Sequence, residues 1–362
     1  MRSPIATLLL ASFFYFGCSR IAPQVQFENA NTVATTDTPK TETPTPTPRP
    51  TPTPNIELQK EIADLAKEAK GNVGVYAVVI ETGDSVGLDE NGRFALQSVV
   101  KLPVSMSALK MVDDGKLRLD QLVNVEESDL TTMNQKSPIR DQNPMGTQMF
   151  LEDILKAAVS ESDGTASDVL QRLAGGAPAV QAYVESLGIR DMKIVWSHKQ
   201  FSSEWSRQYD NWTTPVASVE LLRKLWASSS DPSTSSAISK SSADLLLKFM
   251  TDSHNPKNRI LGMLPKGTIV AHKTGTGGRQ DGITSVIADV AIITLPNEKH
   301  LAIAVYVGDS TGSGVERADA IAKIAKAAFD TWSGVPRSKQ SNASSSNGQH
   351  SGRNESSKAA KF

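Results

Sequence analysis

Three short stretches hold residues whose types and spacing could do chemistry. Ser98-Val99-Val100-Lys101 places a hydroxyl and an amine three residues apart. On a helical turn such residues share one face, about 5–6 Å apart at Cβ, so the lysine can hydrogen-bond the serine. A serine hydroxyl is a weak nucleophile until a base takes its proton. A lysine that is desolvated and beside other cations can be that base. Lys273-Thr274-Gly275-Thr276-Gly277 follows the apolar Ile269-Val270-Ala271. Glycines at a strand end let backbone and ligand approach closely, while Lys273 and Thr274 offer a cation and a hydroxyl to a carboxylate. Ser162-Asp163-Gly164 lies between two helical segments, where Asp163 suits the capping position of the second. Each stretch alone has an ordinary reading: surface helix, glycine-rich strand end, capped loop.

The rest of the composition removes other chemistries. Cys18 is the only cysteine, so no intramolecular disulfide, thiolate metal site or cysteine nucleophile in the body of the chain is possible. The five histidines (His198, His254, His272, His300, His350) show no metal-ligand spacing; the expectation is no metal and no cofactor. A formal net charge of −1 gives nucleic-acid binding no electrostatic support.

Those motifs must be positioned by a folded body between flanking segments of other kinds. Residues 1–18 read as a lipoprotein signal peptide: Arg2, an apolar run from Ile5 to Phe16 too short for a membrane span, and Tyr15-Phe16-Gly17-Cys18, similar to a lipobox with Cys18 lipidated. The competing reading is an ordinary signal peptide cut nearby. Residues 19–55 form a linker whose Thr-Pro alternation, from Thr43 to Pro54, implies an extended spacer. The tail 337–362 is too polar to offset its ordering entropy. The expected location is the periplasm or cell envelope, lipid-anchored to a membrane.

The folded body is assigned to residues 56–336. Leu58, Ile62, Leu65 and Ala66 predict a helix over Glu57–Lys70, followed by a strand at Val73–Ile80 and a turn at Thr82-Gly83-Asp84. Ser98 to about Ser228 reads as mostly helical. Ile269–His272, Ser285–Thr294 and Leu301–Val307 read as strands, and Gly314–Trp332 as a closing helix. Strands from both chain ends therefore flank a helical middle. The expected fold is α+β, with one antiparallel sheet assembled from both termini and an all-helical lobe inserted.

In this order and with these gaps, Ser-x-x-Lys, Ser-Asp-Gly and Lys-Thr-Gly resemble the signature set of class A β-lactamases and penicillin-binding proteins. The resemblance runs from about Ile56 to Trp332. It includes Lys136-Ser137-Pro138-Ile139-Arg140, Gln208-Tyr209-Asp210-Asn211-Trp212-Thr213, Ile269 to Gly275, and Ile292-Ile293-Thr294-Leu295-Pro296-Asn297. These stretches are similar to the extended-spectrum branch of class A with an unusual omega loop. The resemblance implies the β-lactamase/transpeptidase-like fold, a monomer, a β-lactam substrate and no cofactor. It implies acylation of Ser98, deprotonation by Lys101 and proton relay by Ser162. Backbone N–H groups of Ser98 and Thr276 would form the oxyanion hole. Lys273 and Thr274 would bind the substrate carboxylate, and the strand edge at Gly275 and Thr276 would pair with its amide.

Two positions depart from the family pattern. Gly164 stands where the family has an asparagine that contacts Lys101 and the substrate. Counting back from Trp212 puts His198 where the omega-loop glutamate activates water for deacylation, and Ser202 where a polar residue positions that water. Three readings stand: His198 is the base; Glu204, six residues on, is the base in a shifted loop; or neither is, His198 is a solvated loop residue, and deacylation is slow. His272 is expected to face away from Lys273 along a strand and to pack. A cell-wall peptidase of the penicillin-binding type, acting on peptidoglycan peptides, and a non-catalytic envelope protein are the competing functions.

Overall fold

The computed structural model describes residues 55–335, apart from 232 and 234–236. Cys18, the Thr/Pro spacer and the polar tail lie outside the described residues. The chain opens with α1 (Ile56–Ala66), β1 (Asn72–Val79), β2 (Ser85–Leu88) and β3 (Phe94–Ala95). A single 3-10 turn, Gln97–Val100, then leads into α2 (Lys101–Asp113). The lobe that follows carries β4 (Leu122–Val125), α3 (Pro138–Gln142), β5 (Thr147–Phe150), α4 (Leu151–Val159), α5 (Gly164–Leu173) and α6 (Ala177–Ser186). After β6 (Met192–Lys193) come the short α7 (His198–Phe201), β7 (Trp212–Thr213), α8 (Pro215–Ser230) and α9 (Lys240–Thr251). The chain returns through β8 (Val270–Thr276), β9 (Arg279–Gln280), β10 (Ile283–Thr294), β11 (His300–Ser310) and α10 (Gly314–Trp332).

The main sheet has the order β2-β1-β11-β10-β8, with β9 paired to β10, and its pairings are antiparallel. The expected assembly from both chain ends is thus present. Alternation along the strands divides the apolar core in two. On β11, Leu301, Ile303, Val305 and Val307 pack under α1 and α10, while Ala302, Ala304 and Tyr306 face the helical lobe. Removing one of these side chains, as in Ile303→Ala, would cost ~2–5 kcal/mol. The predicted closing helix matches its observed limits, and Ser313 and Glu316 form a reciprocal cap at its start. The helical middle is not purely helical: β4 and β5 form a two-stranded sheet, and β3, β7 and β6 a three-stranded one. These short pairings escaped the sequence reading because two to four residues are too few for a visible period. The first predicted helix also ends early. At Lys67 it tightens into a 3-10 turn that stops at the left-handed Lys70.

For the site, the consequence lies on β8. Ala271 belongs to the lobe-facing core and Val270 to the opposite one. Lys273 therefore points to the lobe and His272 away from it.

Candidate active site

Ser98 lies within the 3-10 turn and Lys101 opens α2. Three-residue spacing eclipses side chains on a 3-10 turn, and the Lys101 Nζ reaches the Ser98 Oγ at 2.8 Å. From the other side of the groove, Lys273 Nζ donates to Ser162 Oγ at 2.9 Å and to the Thr274 carbonyl at 3.1 Å. Gly275 lets β8 lie close to the turn that carries Ser98: a Cβ there would sit 3.1 Å from the Leu96 carbonyl and 3.2 Å from a Val99 methyl. Ser162 is held in the left-handed region at φ 59°. Asp163 follows and caps α5 as expected, accepting from Ala166 N; its other oxygen takes Ile139 N. Ser98, Ser162, Thr274 and Thr276 line a groove of about 580 Å³, together with Lys136, Ser202, Glu204 and Trp205. Lys101 and Lys273 are buried beneath it.

His198 is not a solvated loop histidine. It is 1% exposed, and its Nε2 lies 2.8 Å from Lys101 Nζ. With Nε2 accepting, the ring proton sits on Nδ1. That atom has no hydrogen-bond partner and is 3.9 Å from Asp168 Oδ1. Asp168 instead accepts from the backbone N–H groups of His198 (2.6 Å) and Lys199 (2.9 Å), one on each oxygen. Ser202 bridges the groove to Thr132 at 2.7 Å. Glu204 is exposed and turns to Ser206 and Arg207. It makes no hydrogen bond to Ser98, Lys101 or His198 among the described residues, which weighs against the shifted-loop base.

The electrostatics follow from crowding of cations in a dry place. Burial pulls Lys101 down to about 7, against the opposing pull of Asp163 and Asp168. Burial, and next the Lys101 charge, pull Lys273 well below the usual lysine range. Burial, followed by Lys101 and Lys273, holds His198 well below the ordinary imidazole value. A lysine near 7 is a competent proton acceptor for a hydroxyl at 2.8 Å. An imidazole pushed down, with its lone pair already facing Lys101, is a poor one.

Gly164 leaves little room for a larger side chain unless Thr131 shifts. A Cβ there would meet the Thr131 methyl at 3.0 Å and the Lys136 carbonyl at 3.4 Å, so Thr131 takes up part of that space. His272, expected to pack, is buried on the far face but is also polar-paired, with Nδ1 3.1 Å from Asp289 Oδ1. Asp168 and Arg259 were missed in the sequence reading. Arg259 donates to the Gly275 and Ala288 carbonyls and to Thr276 Oγ1, bringing a buried guanidinium to the end of β8. Asp168 had a signal, being one helical turn after Gly164 on α5; Arg259 had none, since its partners are remote in sequence. Among the described residues no His/Cys/Asp/Glu group is placed to hold a metal, and no helix is long and apolar enough to cross a membrane.

Comparison with known proteins places the whole body in a family. The sequence model of the Beta-lactamase enzyme family matches residues 57–332. Beta-lactamase VEB-1 of Pseudomonas aeruginosa is 35% identical, the match covering 76% of this chain and 89% of that one. Extended-spectrum beta-lactamase PER-1 of the same organism is 32% identical, over 75% and 86%. The crystal structure of a β-lactamase from Chitinophaga pinensis superposes with TM-score 0.72 at 36% identity, covering 76% of this chain and 99% of that one. That of TLA-3 extended-spectrum β-lactamase gives 0.72 at 35%, over 76% and 98%. By the family model and these relatives together, the chain belongs to the class A β-lactamase family, in the branch that holds these extended-spectrum enzymes.

Proposed function

We propose that this protein opens β-lactam rings through an acyl-enzyme on Ser98 and releases the product slowly. The observation that carries the reading is the chain Ser98–Lys101–His198, each link 2.8 Å long. In acylation, Lys101 takes the Ser98 proton while Oγ bonds to the lactam carbonyl carbon. The N–H groups of Ser98 and Thr276 receive the oxyanion. As the carbon–nitrogen bond breaks, Ser162 gives its proton to the nitrogen and regains one from the Lys101 ammonium. The net transfer is one proton from Ser98 to the lactam nitrogen. Lys273 and Thr274 take the substrate carboxylate. Deacylation needs a base for water, and an imidazole with its lone pair turned to Lys101 replaces the carboxylate of the family. The acyl-enzyme therefore persists.

Intact-mass measurement after mixing with benzylpenicillin tests this. A long-lived adduct at Ser98 with slow product release is the expected result. Fast steady turnover of nitrocefin after the burst would overturn the slow step, and no adduct would overturn the catalytic reading. His198→Glu should speed turnover; an unchanged or lower rate counts against the missing-base account. The lack of a loop carboxylate beside Ser98 and Lys101 favours, as a second reading, a penicillin-binding role on cell-wall peptides. Release of the terminal residue from a D-alanyl-D-alanine peptide would select it. The Cys18 motif and the Thr/Pro spacer support export and lipid anchoring, tested by loss of palmitate labelling in Cys18→Ala.

A further inference from the structure

Outside the catalytic chain, a well-connected buried group at the site is the side-chain amide of Gln208, in the 3-10 turn Ser206–Tyr209 that ends the omega loop. It is 6% exposed. Its Oε1 accepts two hydrogen bonds, from Gln97 Nε2 at 2.8 Å and from Ser285 Oγ at 2.6 Å, and its Nε2 donates to the Trp205 carbonyl at 2.9 Å. The two donors to that one oxygen come from two separate elements: the turn that carries Ser98, and β10, the strand paired to β8. Gln97 immediately precedes Ser98 and is held at φ 43°, in the left-handed region that a residue with a side chain rarely adopts. Its conformation sets the peptide plane that aims the Ser98 N–H. Ser285 lies on β10 beside the end of β8. Its N–H donates to the Gly278 carbonyl, Gly277 N donates to the neighbouring Val286 carbonyl, and Thr276 pairs with Ile287. Gly277 keeps the path open, since a Cβ there would sit 2.0 Å from Ser285 Oγ.

We propose that Gln208 is a positioning residue for the oxyanion hole: one amide oxygen ties the residue that aims the Ser98 N–H to the strand that aims the Thr276 N–H, and so couples the omega loop to acylation. Displacing either N–H by a few tenths of an ångström weakens its hold on the developing oxyanion without removing it. The inference rests on acylation of Ser98.

Infrared spectroscopy of the acyl-enzyme formed with carbonyl-labelled benzylpenicillin reads the polarisation of the ester directly. In Gln208→Leu the ester band should move to higher wavenumber and broaden, and the acylation rate should fall roughly tenfold or more, short of the ~10²–10³-fold lost on deleting a donor. Gln208→Glu keeps an acceptor for both Gln97 and Ser285 but loses the donation to Trp205. It should keep the band and the acylation rate of the unsubstituted protein. Ser285→Ala, which leaves the Gln97 bond in place, should shift the band by an intermediate amount and guards against Gln208→Leu failing to fold. An unchanged band in Gln208→Leu or Ser285→Ala overturns the inference while the proposed function stands. So does a Gln208→Glu variant as impaired as Gln208→Leu, because the Trp205 contact would then be what matters. Absence of any adduct in the unsubstituted protein overturns both.

Discussion

The groove has two walls built by different means. The sheet wall, β8, is paired to β10 along its whole length, from Thr276 opposite Ile287 to Val270 opposite Ile293. Its geometry is repeated backbone hydrogen bonding, and every side chain has its face assigned by alternation. The loop wall, from Val195 to Asn211, has only the two-residue pairing of β6 with β7 at its neck. Its shape comes from single side-chain clasps, some its own and one reaching in from α5. Asn211 accepts from Val195 N and Trp196 N and donates to the Trp196 carbonyl, Asp168 holds His198 and Lys199, and Gln208 joins Gln97 and Ser285. A ladder tolerates the loss of any one side chain, whereas a wall made of single side-chain clasps can fail at each of them. Lys101 sits where the walls meet.

The largest effect is expected at that junction. Lys101→Met keeps volume but removes the base, so acylation of Ser98 should fall ~10²–10⁴-fold, read by stopped-flow with nitrocefin. A loss under tenfold would mean that another group takes the proton. Next is the neck of the loop. Asn211→Ala deletes three hydrogen bonds at a buried position, each worth ~0.5–1.5 kcal/mol net. Hydrogen exchange should then speed up across Val195–Asn211 and stay slow across β8; equal loosening of both would erase the distinction between the walls. A smaller effect is a shift in pH dependence. With Lys101 pulled down to about 7 by burial, acylation should rise as pH passes 7 and level off above it. His198→Glu sets a carboxylate beside the ammonium, which favours the charged form and should move that rise to higher pH. A profile flat from pH 5 to 9 would remove Lys101 as the base.

The two walls also differ in how far they could be read from the sequence. The apolar runs of β10 and β11 and the capped helix α10 are local signals, and their limits came out nearly as observed. The motif Lys273-Thr274-Gly275 fixed the edge of the sheet wall, although β8 runs four residues past the predicted His272, because glycine and charge obscure a strand's period. For the loop, Trp212 anchored the count that put His198 at the position of the family's omega-loop glutamate. Whether His198 was buried could not be read there, because its clasp is Asp168, 30 residues away, and its partner Lys101 is 97 residues away. Gln208 was visible only as part of a family-like stretch; its role depends on Gln97 and Ser285, which no local spacing connects to it.

Asp168 gives the smallest and most diagnostic test of the loop wall. Burial raises its carboxyl to about 6 from an ordinary 3.8, in spite of the two backbone N–H groups that favour the anion. A carboxyl raised on folding binds its proton more tightly in the folded state. Its stabilising contribution is therefore complete below about pH 3.8 and is lost as pH rises through about 6. Asp168→Asn does not titrate. It keeps one acceptor oxygen and turns an amide NH₂ toward the other N–H, a pH-independent cost of ~1–3 kcal/mol. The stability of the unsubstituted protein minus that of Asp168→Asn should thus decline between pH 4 and 6, by on the order of 1–3 kcal/mol, and stay level above. Urea unfolding at a series of pH values measures it. A difference that grows with pH would mean that the two N–H groups outweigh burial and that Asp168 is a charged clasp throughout.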